Sequence, residues 1–186
     1  MRQTSIILLF AFVLAAPSPA LAQRHVPESG MGAIGVSIGA ALPTESNLEN
    51  GLALAGNLEG YVTRRVSIRA QVGTAWLDFT GAPATARPLF LDGNIVYNWE
   101  GGQWHPYVTG GVGYYRYHVK NGSATADDSN PGFDLGAGIE YFFTRRATLT
   151  GELLYHKVGD VVAPPLVIQN GSFWTIAIGA KAYFGR

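Results

Sequence analysis

The 186-residue sequence has no cysteine, only two methionines, and few charges: Asp, Glu, Lys and Arg make up 14% of it. Without cysteine no disulfide can staple the fold, so packing and hydrogen bonds must hold it. Soluble domains carry about 25% charged residues, and a chain well below that exposes apolar surface to something other than water. Formal net charge is zero and the pI is ≈ 6.9, which removes the electrostatic case for a nucleic-acid partner. No segment stays apolar for the ~20 residues of a membrane-spanning helix, and helical spacing of apolar residues is missing throughout. What the chain has in quantity is glycine, 24 residues, and aromatics, 12%.

The N-terminus reads as an address. Arg2 is followed by the apolar run Ile6 to Ala16 and then by Ala20-Leu21-Ala22, a small-residue cleavage pattern. This predicts a secretory signal peptide over residues 1–22, since the run is too short to cross a bilayer.

One pattern occurs twice. "LEGYVTRRVSIRAQV" (Leu58 to Val72) and "YFFTRRATLTGELLYH" (Tyr141 to His156) align with Thr63 on Thr144, Glu59 on Glu140 and Gln71 on Glu152. Both place Thr-Arg-Arg between two alternating segments. Alternation of apolar and polar residues in fact runs along the whole chain, and period two is the signature of the β-pleat. Eight strands are predicted, at about 32–42, 51–62, 66–79, 88–99, 105–119, 132–143, 147–158 and 171–184. The connections "TRR", "EGGQW" and "TRR" are short, whereas "PTESNLEN", "TGAPATAR", "KNGSATADDSNP" and "GDVVAPPLVIQN" are longer and rich in turn formers. An even strand count with short turns at one end and long loops at the other predicts an all-β, eight-stranded antiparallel up-and-down barrel. The phase of the fifth strand stays open, because Gly110, Gly111 and Gly113 permit a bulge.

With strand phases assigned, seven mid-strand charges fall on the face opposite the large apolar residues: Glu59, Arg69, Asp92, Asp134, Glu140, Glu152 and Lys181. A water-soluble barrel of lipocalin type would point these charges outward; a membrane barrel points them into the lumen. Three features favour the second. The apolar face ends in aromatics, Trp76, Tyr155 and Trp174 at one level and Trp99, Tyr141 and Phe184 at the other, as in an interfacial girdle. The charged face is otherwise small, with Gly35, Gly39, Gly136, Gly138 and Gly179, which suits the narrow interior of eight strands. The strands are also longer than the ~5–6 residues usual in globular proteins.

These features resemble the small outer-membrane β-barrel family of Gram-negative bacteria, the OmpA-like, OmpX-like and opacity-protein group. The resemblance rests on the signal peptide, "PYVTGGVGYYRY", "GFDLGAGIEYFFTRRATLTGELLYHKVGD" and the closing strand "FWTIAIGAKAYF". It implies a transmembrane β-barrel over residues 32–186 in the cell outer membrane, preceded by a short periplasmic segment at 23–31. It also implies a monomer surrounded by outer-membrane lipid and lipopolysaccharide, inserted by the barrel-assembly machinery. Family members usually end on an aromatic; here Phe184 is followed by Gly185 and Arg186. No peptidoglycan-binding domain is expected after the barrel.

Catalysis and cofactors are not expected. The lipid A deacylases, barrel enzymes of the same membrane, use a His-x-Ser pair. His156 is followed at the second position by Val158, and its phase points it inward. His25, His105, His118 and His156 are dispersed, so no metal is expected, and "GGVG" lacks the helix of a phosphate loop. Glu59 faces Arg69 across a hairpin, which predicts a lumen network that plugs the barrel or, alternatively, gates a narrow cation-preferring pore. The apolar loop at 159–170 is a candidate surface-ligand site, unless it extends the strands beyond the membrane or folds over the mouth.

Overall fold

The computed structural model describes residues 27–99, 101–163, 166–168 and 170–185. The expected signal peptide lies outside the described residues. Eight long strands make the barrel: β1 (Gly32–Pro43), β2 (Gly51–Tyr61), β3 (Val66–Asp78), β4 (Ala84–Asn98), β5 (Trp104–Asn121), β6 (Ala124–Phe142), β7 (Ala147–Val158) and β10 (Phe173–Phe184). Each pairs antiparallel with its sequence neighbour, and β1 closes on β10 from Gly32↔Phe184 to Pro43↔Phe173. Within the closed wall every strand is paired on both sides, and β6 runs past β7 from Ala124 to Pro131, paired there with β5. Two short strands, β8 (Val161–Ala163) and β9 (Leu166–Ile168), form a separate hairpin between β7 and β10.

The duplicated Thr-Arg-Arg is turn chemistry. Thr63 Oγ1 accepts hydrogen bonds from the amides of Arg65 and Val66 at 3.2 and 2.9 Å, and Thr144 Oγ1 accepts from the Arg146 amide at 3.2 Å. A threonine that caps its own turn satisfies amides the ladder cannot reach, so the β2–β3 and β6–β7 hairpins turn tightly.

Three boundaries differ from expectation. The segment 120–131, expected as a long loop, is strand on both sides of a turn at Gly122, whose φ is 59°. β4 begins at Ala84 rather than near 88. The cause is the same in both places: beyond the bilayer no lipid enforces an apolar face, so strands polar on both sides lose the alternation that marks them. The bulge allowed for in β5 is absent, since its register with β4 runs unbroken from Ala84↔Asn121 to Asn98↔Tyr107. Tyr107, Tyr115 and Tyr117 point into the barrel, and Tyr114 points out, 56% exposed.

The interior is stratified. An apolar cluster including Leu77, Phe90, Tyr115, Tyr117, Val119 and Phe173 fills the long-loop end. A smaller one, Met31, Ala33, Tyr61, Phe142 and Tyr183, fills the short-turn end. Between them most buried side chains are polar or charged, among them Glu59, Arg69, Asp92, Asn94, Glu140 and Lys181. The outside is the reverse: Val36, Leu91, Ile95, Leu135 and Ile178 are 60–66% exposed. An uninterrupted apolar belt on this scale is stable only against lipid.

Candidate functional site

The charged stratum is built on glycine floors. Lys181 on β10 reaches across β1 to Glu59 on β2, and Gly35 lies beneath it. A Cβ there would stand 2.9 Å from Lys181 Cγ and 2.8 Å from Asn57 Oδ1. Tyr107 on β5 crosses Gly138 on β6 to reach Glu152 on β7, where a Cβ on Gly138 would meet the tyrosine ring at 2.4 Å. The small residues of the lumen face thus serve as troughs for long polar side chains.

Arg69 stands opposite Glu59 in the β2–β3 register. Its Nε lies 3.3 Å from Glu59 Oε2, and its Nη1 spans the lumen to Glu152 Oε2 at 2.6 Å. Lys181 Nζ pairs with Glu59 Oε2 at 2.6 Å and closely with Glu140. Neutral groups complete the lattice. Ser67 donates to Glu59, Tyr107 donates to Glu152 Oε2 at 2.7 Å, and Tyr183 donates to Glu140 while its hydroxyl lies 3.0 Å from that of Tyr61. The Tyr107 ring is flanked by both cations, the Arg69 guanidinium carbon at 5.2 Å and Lys181 Nζ at 5.5 Å from its centroid.

All seven sequence-derived charges point inward, and the structure joins five: Glu59, Arg69, Glu140, Glu152 and Lys181. Asp92 and Asp134 stand apart. Asp92 accepts a bond from Asn94 Nδ2 at 2.6 Å, and Asp134 makes no side-chain hydrogen bond among the described residues. Toward the long-loop end the stratum is covered by rings. His156 is fully buried, 4.5 Å from the Phe173 ring and 4.8 Å from Phe90, with its Nδ1 3.0 Å from the Tyr115 hydroxyl. An interior void bounded by Asn57, Arg69, Tyr107, Glu152 and Lys181 measures ≈ 10 Å³, at most one water.

The six aromatics expected at the membrane interfaces lie on the outer face, at two levels. Tyr155 and Trp174 pack at 4.7 Å, with Trp76 at the same end. Trp99 packs edge-on against Tyr97 at 5.0 Å, and Tyr141 against Trp104 at 4.6 Å, at the other end with Phe184. On β10, Trp174 and Phe184 are ten residues apart, so at ~3.3 Å per residue and a tilt of ~40° they stand ~25 Å apart along the normal, the height of an outer-membrane apolar band. Sequence reasoning missed Tyr107, Tyr183 and Tyr61 as members of the lattice and Trp104 as an outward aromatic beside Tyr141. Tyr107 was legible from the alternation of Trp104, Pro106 and Val108 against His105, Tyr107 and Thr109, but the glycines downstream obscured the phase.

Strands β8 and β9 lie over the mouth. Val161 and Ile168 are fully buried against the apolar cluster, and the hydroxyl of Tyr117 donates to the Gly171 carbonyl. The Val162 amide donates to Asp128 Oδ2 at 2.8 Å.

A closed antiparallel barrel, apolar outside between two aromatic levels and charged within, is a transmembrane β-barrel. The chain belongs to the outer membrane protein beta-barrel domain family, whose model matches residues 7–184, and it resides in the cell outer membrane. A comparison with curated proteins found no match. Among solved structures it is similar to Neisserial surface protein A (TM-score 0.69, 15% identity, 84% of this chain and 100% of that one). It is also similar to OprG of Pseudomonas aeruginosa (0.66, 14%, 85% and 98%) and to Ail, the attachment invasion locus protein of Yersinia pestis (0.60, 12%, 84% and 99%). At these identities the likeness is one of fold.

Proposed function

We infer that the protein is a closed, non-catalytic barrel with a structural and surface-interaction role, its lumen plugged rather than conducting. The observation that carries this reading is the buried five-charge lattice. Arg69 and Lys181 each bridge two carboxylates from different strands, and moving either cation leaves charges unpaired in a space that admits about one water. Opening a path would break several charge-assisted bonds at once, each costly in a low-dielectric interior. His156 supports the absence of catalysis, because its nitrogens face Tyr115 and Thr175 inside the barrel and not the acyl chains outside. The surface-interaction half draws support from the ordered extension of β5 and β6 beyond the membrane. Ail, of the same fold, has been solved with the heparin analogue sucrose octasulfate.

The test is single-channel recording in planar bilayers. The wild-type barrel gives no discrete openings, whereas Arg69→Ala, if it folds, gives small cation-preferring ones. Regular openings of the wild type would establish instead that the lattice is a gate.

A further inference from the structure

The outward-facing cations of the barrel wall are not evenly distributed. The four outward Lys and Arg residues of the barrel strands, Arg87, Arg116, Lys120 and Lys157, lie on β4, β5 and β7; β1, β2, β3, β6 and β10 have none. Three of them cluster. Climbing the outer face of β5, the side chains read Val112, Tyr114, Arg116, His118, Lys120, passing from apolar belt through an interface aromatic to three basic residues. Arg87 on β4 stands directly beside His118 in the register. Neighbours on one face are ~7 Å apart along a strand and ~5 Å apart across strands, so the four groups form one compact patch. It begins just above Tyr114, at headgroup level.

Asp127 orders this patch without filling it. Its carboxylate accepts from Arg116 Nη2 at 3.0 Å and lies 2.8 Å from His118 Nδ1. These hydrogen bonds, from His118 first and Arg116 second, hold it below the usual carboxylate range, so it stays ionised and fixes both side chains. Arg87 and Lys120 have no ion-pair partner among the described residues, and Asp78, two strands from Lys120, marks the acidic border. Inward neighbours at the same level, Tyr117 and Val119, are buried and apolar. The charge is therefore presented sideways, along the bilayer, and not into the lumen.

We propose that Arg87, Arg116, His118 and Lys120 form a binding site for the phosphate groups of an anionic lipid headgroup in the outer leaflet. In the outer membrane the phosphorylated headgroup of lipopolysaccharide is the ligand of this chemistry. Guanidinium and ammonium groups on a rigid strand pair, spaced across ~10 Å, match a headgroup carrying more than one phosphate through charge-assisted hydrogen bonds. The assignment rests on the outer-membrane location and not on the closed lumen, so a conducting barrel would leave it standing.

The test uses the mature chain folded into phosphatidylcholine nanodiscs doped with lipid A, either phosphorylated or enzymatically dephosphorylated, with bound lipid counted by native mass spectrometry. At about 1 kcal/mol per basic residue near an anionic surface, Arg87→Gln/Lys120→Gln weakens retention of phosphorylated lipid A about tenfold to thirtyfold. The charge-matched control Arg64→Gln/Arg146→Gln, in the short turns, retains it as wild type does. Both variants keep the folded, heat-modifiable gel band. Equal retention of dephosphorylated lipid A, or equal loss in both double variants, overturns the proposal. Displacement by soluble sucrose octasulfate or inorganic pyrophosphate as effective as lipid A itself would assign the patch to a soluble anion and overturn the lipid assignment.

Discussion

Lys181 Nζ and Glu59 Oε2 are 2.6 Å apart although 122 residues separate them in sequence and the whole of β1 lies between their strands. Glu59 is the hub of the lumen, meeting Lys181, Arg69 and Ser67 with a side chain wholly removed from solvent. A buried carboxylate of this kind persists only because every neighbour donates to it. Glu59 therefore couples the first hairpin to the last strand, and the lattice reports whether the barrel has closed.

Arg69→Ala leaves Glu59 with Lys181 and the Ser67 hydroxyl and Glu152 with only the Tyr107 hydroxyl. Removing one partner of a buried pair costs about 3–5 kcal/mol, and Lys181 keeps the loss toward the lower figure. Urea unfolding in micelles, followed by gel mobility without boiling, shows a midpoint well below wild type. Replacing Arg69, Glu59 and Glu152 together by Met, Gln and Gln recovers part of the loss, because no charge is stranded. A single Arg69→Ala variant as stable as wild type would remove the lattice from the stability account.

The glycine floors give a sharper test. Gly138→Ala places a methyl group 2.4 Å from the Tyr107 ring and 2.6 Å from the Gly151 carbonyl. It must push Tyr107 off Glu152, and overpacking of this kind costs about 1–3 kcal/mol. Gly93→Ala, on the outer face with nothing within 4 Å of the new methyl, is neutral or slightly favourable in lipid. Equal effects of the two substitutions would mean that the lumen repacks freely.

The sequence displayed the parts of the fold that lipid enforces. Within the bilayer one face must be apolar, so the alternation of β7 or β10 reads directly as a strand with a known inside. The same rule placed Glu59, Glu152 and Lys181 inward. It failed where the constraint ends. Thr125, Asp127 and Ser129 face out and Ala126, Asp128 and Asn130 face in, and this polar-on-polar alternation resembles a loop. Pairing across the lumen was not legible, because neither the barrel's shear nor the reach of Tyr107 over Gly138 has a trace in local spacing. Likewise the apolar loop 159–170 reads equally as a surface, a strand extension or a lid, and only burial of Val161 and Ile168 separates these.

Ile178 tests the outward orientation. It is 60% exposed on β10, between Trp174 and Phe184, and faces lipid. Ile178→Arg costs about 2–4 kcal/mol near the midplane and lowers folding yield into bilayers. Ala177→Ser, one residue away on the lumen face, has a much smaller effect. Tolerance of arginine at 178 would mean that this face meets water.

Docking of the β8–β9 hairpin is expected to respond to acid through Asp128. Asp128 is held below the ordinary carboxylate range first by the Val162 amide, then by the Ser129 amide and Asn130. A carboxylate with a depressed folded pKa stabilises the fold fully above its unfolded value, ~3.9. That contribution is lost as pH falls through the lower folded value. The β8–β9 hairpin should therefore stay docked from neutral pH to about 5 and loosen below about 4. The measurement is the exchange protection of the Val162 amide, corrected for intrinsic pH dependence. Asp128→Ala removes the protection at pH 7, and the barrel's gel mobility is unchanged because no strand of the wall depends on that bond. Full protection of Val162 in Asp128→Ala would show that burial of Val161 and Ile168 holds the lid without the carboxylate.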